Sequence, residues 1–175
     1  MRGKRIRWVL PLALLAAAGV GAAMAANATM HSSSGGTVKT AASGKYGTIL
    51  VGSNGRTLYR FTIDGKGVNR CSAVAVCARA WPALLLKAGA KPSAGTGANG
   101  ALLGTIKAAH GMRQVTYAGY PLYLFSGDTH AGQTNGQGVV GKWFVINPTG
   151  ALVKHPTTAT PPPATTSTNS GGGWG

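Results

Sequence analysis

A mainly β fold is predicted for this chain: two tandem repeats, each containing a β-hairpin, packed as one small domain with one short helix. Three observations predict it. The pattern Tyr-x-Phe-x-x-Asp occurs twice, at residues 59–64 and 123–128. Its two aspartates, Asp64 and Asp128, are the only acidic residues among 175. A shift of 64 residues also lays Gly47 on Gly111, Val51 on Val115, Gly55 on Gly119 and Leu58 on Leu122. Finally, each copy of the motif follows a β-prone run and a turn dipeptide, the sequence form of a hairpin.

The first 25 residues read as a secretory signal peptide. Arg2, Lys4, Arg5 and Arg7 precede an apolar stretch from Trp8 to about Ala23, and Ala23-Met24-Ala25 and Ala26-Asn27-Ala28 each fit a small-residue cleavage site. The stretch is Ala-rich and shorter than the ~20 residues a membrane span requires. Residues 26–44, rich in Ala, Ser, Gly and Thr, read as a flexible linker. The duplicated domain is expected over residues 45–154, with repeats at about 45–86 and 109–154.

In the first repeat, residues 48–53 are apolar and β-branched, Asn54-Gly55 is a two-residue turn signal, and residues 56–61 return. Tyr59 and Phe61 lie two apart and share a face of the return strand. Asp64-Gly65 marks a turn in which the carboxylate can accept backbone N–H groups. Residues 71–80 are Ala-rich, without Gly or Pro, and predict the short helix, ended by Trp81-Pro82. Residues 87–100 form the connecting loop. In the second repeat, residues 113–117 run out, Ala118-Gly119 turns, and residues 120–125 return, Pro121 marking an edge position. Residues 142–146, the turn 147–150 and residues 151–154 predict a closing hairpin. Gly100-Ala101-Leu102 matches Gly150-Ala151-Leu152 as a looser sign of the duplication. The Pro/Thr/Gly-rich residues 155–175 predict a disordered tail.

Both motif copies carry a resemblance to a known family, together with Gly55-Arg-Thr-Leu-Tyr59, Cys77-Ala-Arg-Ala-Trp81-Pro82, Gln114-Val-Thr-Tyr117 and the run from Gly127 to Trp143. Over residues 45–154 the chain resembles the bacterial secreted-repeat family, whose lipoproteins bear a Yx(FWY)xxD motif. The resemblance implies an exported protein and no established activity. Three features depart from the family pattern. There is no lipoprotein cysteine, the two cysteines are spaced Cys-x5-Cys, and Gln133 stands where members often carry Asp.

Cys71 and Cys77, the only cysteines, predict a structural disulfide in an exported chain, with a redox-active pair as the sharper reading. The motif residues Tyr59, Phe61, Asp64, Tyr123, Phe125 and Asp128 are expected to be architectural, each Asp capping its own turn. The competing reading is an Asp64–Asp128 catalytic dyad across a duplicated pair of lobes. Asp128, His130 and His110 are the candidate metal ligands, too few for a zinc or calcium centre. Tyr59, Phe61, Trp81, Tyr117, Tyr123, Phe125 and Trp143 read as core, against a sugar-binding groove as the alternative.

With the four leader arginines and lysines removed, 13 of the 17 basic residues remain against two acids, a formal charge of +11. Such a surface favours anionic partners. The basic residues are scattered, and no nucleic-acid module is recognisable. The residues therefore predict an exported, non-enzymatic protein of the cell envelope or its exterior. No cofactor, specific nucleic acid, lipid anchor or further transmembrane segment is expected. Its partner would be an anionic wall polymer or a glycan. A redox or metal-handling envelope protein is the alternative, and an Asp-dependent hydrolase the third reading.

Overall fold

A computed structural model describes residues 35–157. The expected signal peptide and all but the first residues of the expected tail lie outside them. In chain order the elements are β1 (Thr37–Ser43), β2 (Gly47–Gly52), β3 (Tyr59–Phe61), α1 (Ala75–Ala80), β4 (Leu85–Leu86), β5 (Ser93–Ala94), β6 (Leu103–Lys107), β7 (Arg113–Tyr117), β8 (Tyr120–Pro121), β9 (Trp143–Ile146) and β10 (Leu152–Val153). The protein is mainly β, with one α-helix and two repeats among the described residues, as the sequence predicts.

Each repeat opens with a hairpin whose first strand lies ahead of the boundaries expected from the sequence. β1 pairs antiparallel with β2, and β6 pairs antiparallel with β7. Residues 37–43 are therefore a strand and not part of a flexible linker over 26–44. Likewise the repeats begin at β1 and β6, ahead of residues 45 and 109. Thr37-Val38-Lys39-Thr40 alternates, and that alternation was hidden by the Ala/Ser composition around it. Val38 is fully buried, and burying a side chain of that size stabilises by roughly 1.5–3 kcal/mol.

A second hairpin follows in each repeat. β7 and β8 are joined by Ala118 and Gly119, with φ of 50° and 86°. This is the twist-matched two-residue turn that favours Gly and Asn. The corresponding turn in the first repeat holds one residue more: Gly52 N–H bonds Arg56 O, Gly55 N–H bonds Gly52 O, and Leu58 N–H bonds Leu50 O. In the second repeat the matching bond is Leu122 N–H to Val115 O. Leu50 is thus the counterpart of Val115, and the fixed shift of 64 slips by one residue ahead of the turn. A one-residue slip moves every side chain to the other face, so Val51 matches Thr116. Residues 100–102 form a single 3-10 turn while Leu152 lies in β10, so the looser Gly-Ala-Leu match is not structural.

After the second turn the two repeats interlock. Tyr59 and Tyr123 pair directly, with Tyr59 N–H to Tyr123 O at 2.8 Å and Tyr123 N–H to Tyr59 O at 3.0 Å. On the outer side of Tyr59 lies β9 of the second repeat, in the register Tyr59 with Val145 and Phe61 with Trp143. On the outer side of Tyr123 lies Ala83 of the first repeat. Thr62 N–H to Lys142 O and Ser126 N–H to Ala80 O repeat the same relation, each at 2.9 Å. Each motif strand therefore carries the other repeat's tryptophan segment, about a pseudo-twofold axis between the two tyrosines.

The core lies on both faces of these central strands. One side gathers Val38, Leu50, Leu58, Val115, Leu122, Leu124 and Ile146. The other gathers Ile49, Val51, Tyr59, Trp81, Tyr123, Trp143 and Val145. Cys71 and Cys77 are joined by a disulfide, with Cα atoms 5.3 Å apart, and both pack against the aromatic side ahead of Trp81.

Candidate functional site

The motif spacing follows from local geometry. Tyr and Phe, two apart on a strand, point to one face. The chain then turns: Asp64 N–H bonds Phe61 O at 3.1 Å, and Asp128 N–H bonds Phe125 O at 3.2 Å. Phe-x-x-Asp is thus a four-residue β-turn in both repeats. The turn carries each carboxylate inward, and Asp64 and Asp128 are 5% and 1% exposed.

Each Asp bonds its own loop and the tyrosine of the other repeat. Asp64 Oδ1 accepts from Arg70 N–H at 2.8 Å, and Asp64 Oδ2 accepts from the Tyr123 hydroxyl at 2.6 Å. Asp128 Oδ1 accepts from Asn135 N–H at 2.8 Å, and Asp128 Oδ2 accepts from the Tyr59 hydroxyl at 2.6 Å. Each Asp thus caps its own turn, as the motif spacing predicts, and in addition crosses to the other repeat's tyrosine, which the spacing does not predict. Gly136 N–H also donates to the Tyr59 hydroxyl, at 3.2 Å. A Cβ at Gly136 would stand 2.7 Å from the Trp81 ring, so only glycine allows that approach.

The aromatic residues obey the same symmetry. Phe61, Trp143, Trp81 and Phe125 form one continuous stack. Its ring separations are 4.3 Å for Phe61 on Trp143, 3.8 Å for Trp143 on Trp81 and 4.4 Å for Trp81 on Phe125. Tyr59 meets Trp81 edge-on at 5.4 Å, and Tyr123 meets Trp143 edge-on at 5.1 Å. Each offset or edge contact adds roughly 0.5–1.5 kcal/mol beyond burial.

Burial dominates the electrostatics. It raises the Asp64 and Asp128 carboxyls above their ordinary value, against the opposing pull of the tyrosine hydroxyls, the loop N–H groups and nearby arginines. Burial, then the adjoining carboxylate, raises the Tyr59 and Tyr123 hydroxyls far above theirs. The tyrosines remain neutral donors, so each crossed hydrogen bond is charge-assisted while its carboxylate is ionised.

No hydrogen bond joins Asp64 to Asp128, because every carboxylate oxygen is held by another donor. Two open depressions on the surface are lined by other residues. Among the described residues no three potential ligands gather into a metal site. Asp128 is turned inward, whereas His130 is exposed with Nδ1 2.8 Å from the Thr129 hydroxyl, and His110 is exposed in a turn at φ 56°. Gln133 organises the loop after Asp128: its side-chain oxygen accepts from Thr129 N–H at 2.6 Å and His130 N–H at 2.9 Å.

A family model described as a secreted repeat of unknown function matches residues 40–85 and 104–147, just over half of the chain. The two matched segments start within β1 and at β6, where the structure begins its repeats. No curated protein and no solved structure matches.

Proposed function

Because the chain belongs to the family of secreted repeats of unknown function, we propose that it works outside the cell or in its envelope as a non-enzymatic binding or structural module for an anionic wall polymer or an acidic glycan. In this reading residues 1–25 are removed on export. The same reading takes the protein to be exported without a lipidated cysteine, and the pairing of Cys71 with Cys77, the two cysteines of the sequence, supports it. Tyr59, Phe61, Asp64, Tyr123, Phe125 and Asp128 are architectural and hold the repeats together.

One observation carries the proposal: both acids of the chain are buried in the crossed pairs. The charged side chains exposed among the described residues are therefore cationic, among them Lys45, Lys66, Arg70, Arg79, Lys87, Lys91, Lys107, Lys142 and Lys154. A surface of one sign attracts polyanions by a long-range, salt-screened force. Cosedimentation of the purified exported protein with a phosphodiester wall polymer on an insoluble support and with chitin, an insoluble uncharged glycan, tests this. Retention on the polyanion should fall at least tenfold between 50 and 500 mM salt, at roughly the Debye screening expected. Equal retention on the neutral matrix, or retention indifferent to salt, contradicts it.

A further inference from the structure

β6 carries an unpaired edge. In an antiparallel ladder, alternate residues turn their backbone groups to opposite sides. Ala118 N–H to Leu102 O at 2.8 Å and Ala108 N–H to Met112 O at 2.9 Å set the phase, so the even-numbered residues of β6 bond β7. Leu103, Thr105 and Lys107 face the other way, and β6 ends its sheet. Leu103 N–H bonds Gly100 O, and Thr105 O accepts from the Arg113 guanidinium at 3.3 Å. The Leu103 carbonyl and the N–H groups of Thr105 and Lys107 have no hydrogen-bond partner among the described residues.

The first repeat shows what such an edge accepts. β1 is the counterpart of β6, with Val38 in the place of Leu103 and Thr40 in the place of Thr105. β5 adds to it as a parallel strand. Gly95 N–H donates to Val38 O at 2.7 Å, and Thr40 N–H donates to Thr96 O at 2.9 Å. The groups engaged there are those β6 presents unpaired. The flanks of β6 are cationic: Lys66 borders one depression with Leu103 and Gly104, and Lys107 and Arg113 border another.

We propose that β6 is a docking edge for an extended acidic peptide segment of a partner protein, added as a parallel strand in the way β5 adds to β1. A peptide N–H donates to Leu103 O, and the following residue's carbonyl accepts from Thr105 N–H. Acidic side chains then lie between Lys66 at one end and Lys107 with Arg113 at the other. Backbone pairing supplies the affinity and the flanking charges supply the selectivity. A polyanion without amide N–H groups cannot make the first bond, so this site is separate from the general attraction proposed above.

The probe is a capped octapeptide of alternating Glu and Ala, titrated into the isotope-labelled exported protein and followed by amide NMR shifts. The Thr105 and Lys107 amides should move most. The same peptide N-methylated at alternate amides should bind at least tenfold more weakly, and so should the Thr105→Pro variant, whose lost N–H faces away from β7. Circular dichroism checks the variant's fold; if it fails to fold, the methylated peptide on the unaltered protein decides. Equal binding of the methylated peptide, shifts confined to other lysines, or no binding at millimolar peptide overturns the proposal. Inorganic polyphosphate, tested in parallel, should leave the Thr105 amide unmoved, and its own binding or failure scores the general surface reading.

Discussion

Tyr59 and Asp128 belong to different repeats yet share the shortest class of hydrogen bond in the core, as do Tyr123 and Asp64. The motif was legible as spacing: two residues for a shared strand face, three for a β-turn. The exchange of partners was not, because spacing carries local geometry and says nothing of which copy lies opposite. The raised carboxyl pKa values have a measurable consequence. A native state that holds its carboxyls above the ~3.9 of an unfolded Asp binds protons more readily than the unfolded chain. The resulting stability is full below the unfolded pKa and is lost as pH rises through the native one. Thermal unfolding midpoints should therefore increase on acidification from pH 7 to 4 relative to an Asp64→Asn/Asp128→Asn double variant at the same pH values. A midpoint that falls relative to that variant contradicts the assignment.

At the scale of elements, the hairpins at Asn54-Gly55 and Ala118-Gly119 and the closing hairpin are legible in turn chemistry and β-branched runs, and the helix before Trp81 in an Ala-rich stretch without Gly or Pro. β1 could not, because three of its seven residues are Ala or Ser and its one large apolar residue is Val38. β6 was missed for a related reason: Gly104 interrupts a short run that follows a Gly/Ala/Ser-rich loop. The extra residue in the first turn is equally invisible to a fixed shift, since both turns end in Gly. β1 pairs with β2 from Val38 to Ser43 and receives β5 on its other edge. Chemical denaturation followed by tryptophan fluorescence should give one cooperative transition for a chain begun at Gly35. A chain begun at Lys45 should give none, because β2 and β5 lose their partner and Val38 its place in the core. A cooperative transition in the shorter chain would return residues 37–43 to the status of a linker.

Over the whole molecule, the repeats are entwined rather than set side by side. Each lends its tryptophan segment to the other's motif strand, and the two tryptophans stack face to face across the axis. The duplication is evident from the two Tyr-x-Phe-x-x-Asp copies, at residues 59–64 and 123–128. Its topology depended on long-range pairings that a tandem pattern cannot display. The central claim is that the motif locks one repeat to the other, and double-mutant cycles in denaturant unfolding test it most directly. The Tyr59→Phe and Asp128→Asn pair, from different repeats, should show a coupling energy of about 1–3 kcal/mol, as expected for a buried hydrogen bond to a charged group. Tyr59→Phe with Asp64→Asn, both from the first repeat, should be additive within about 0.5 kcal/mol. Strong coupling within the repeat and additivity across it would contradict the account.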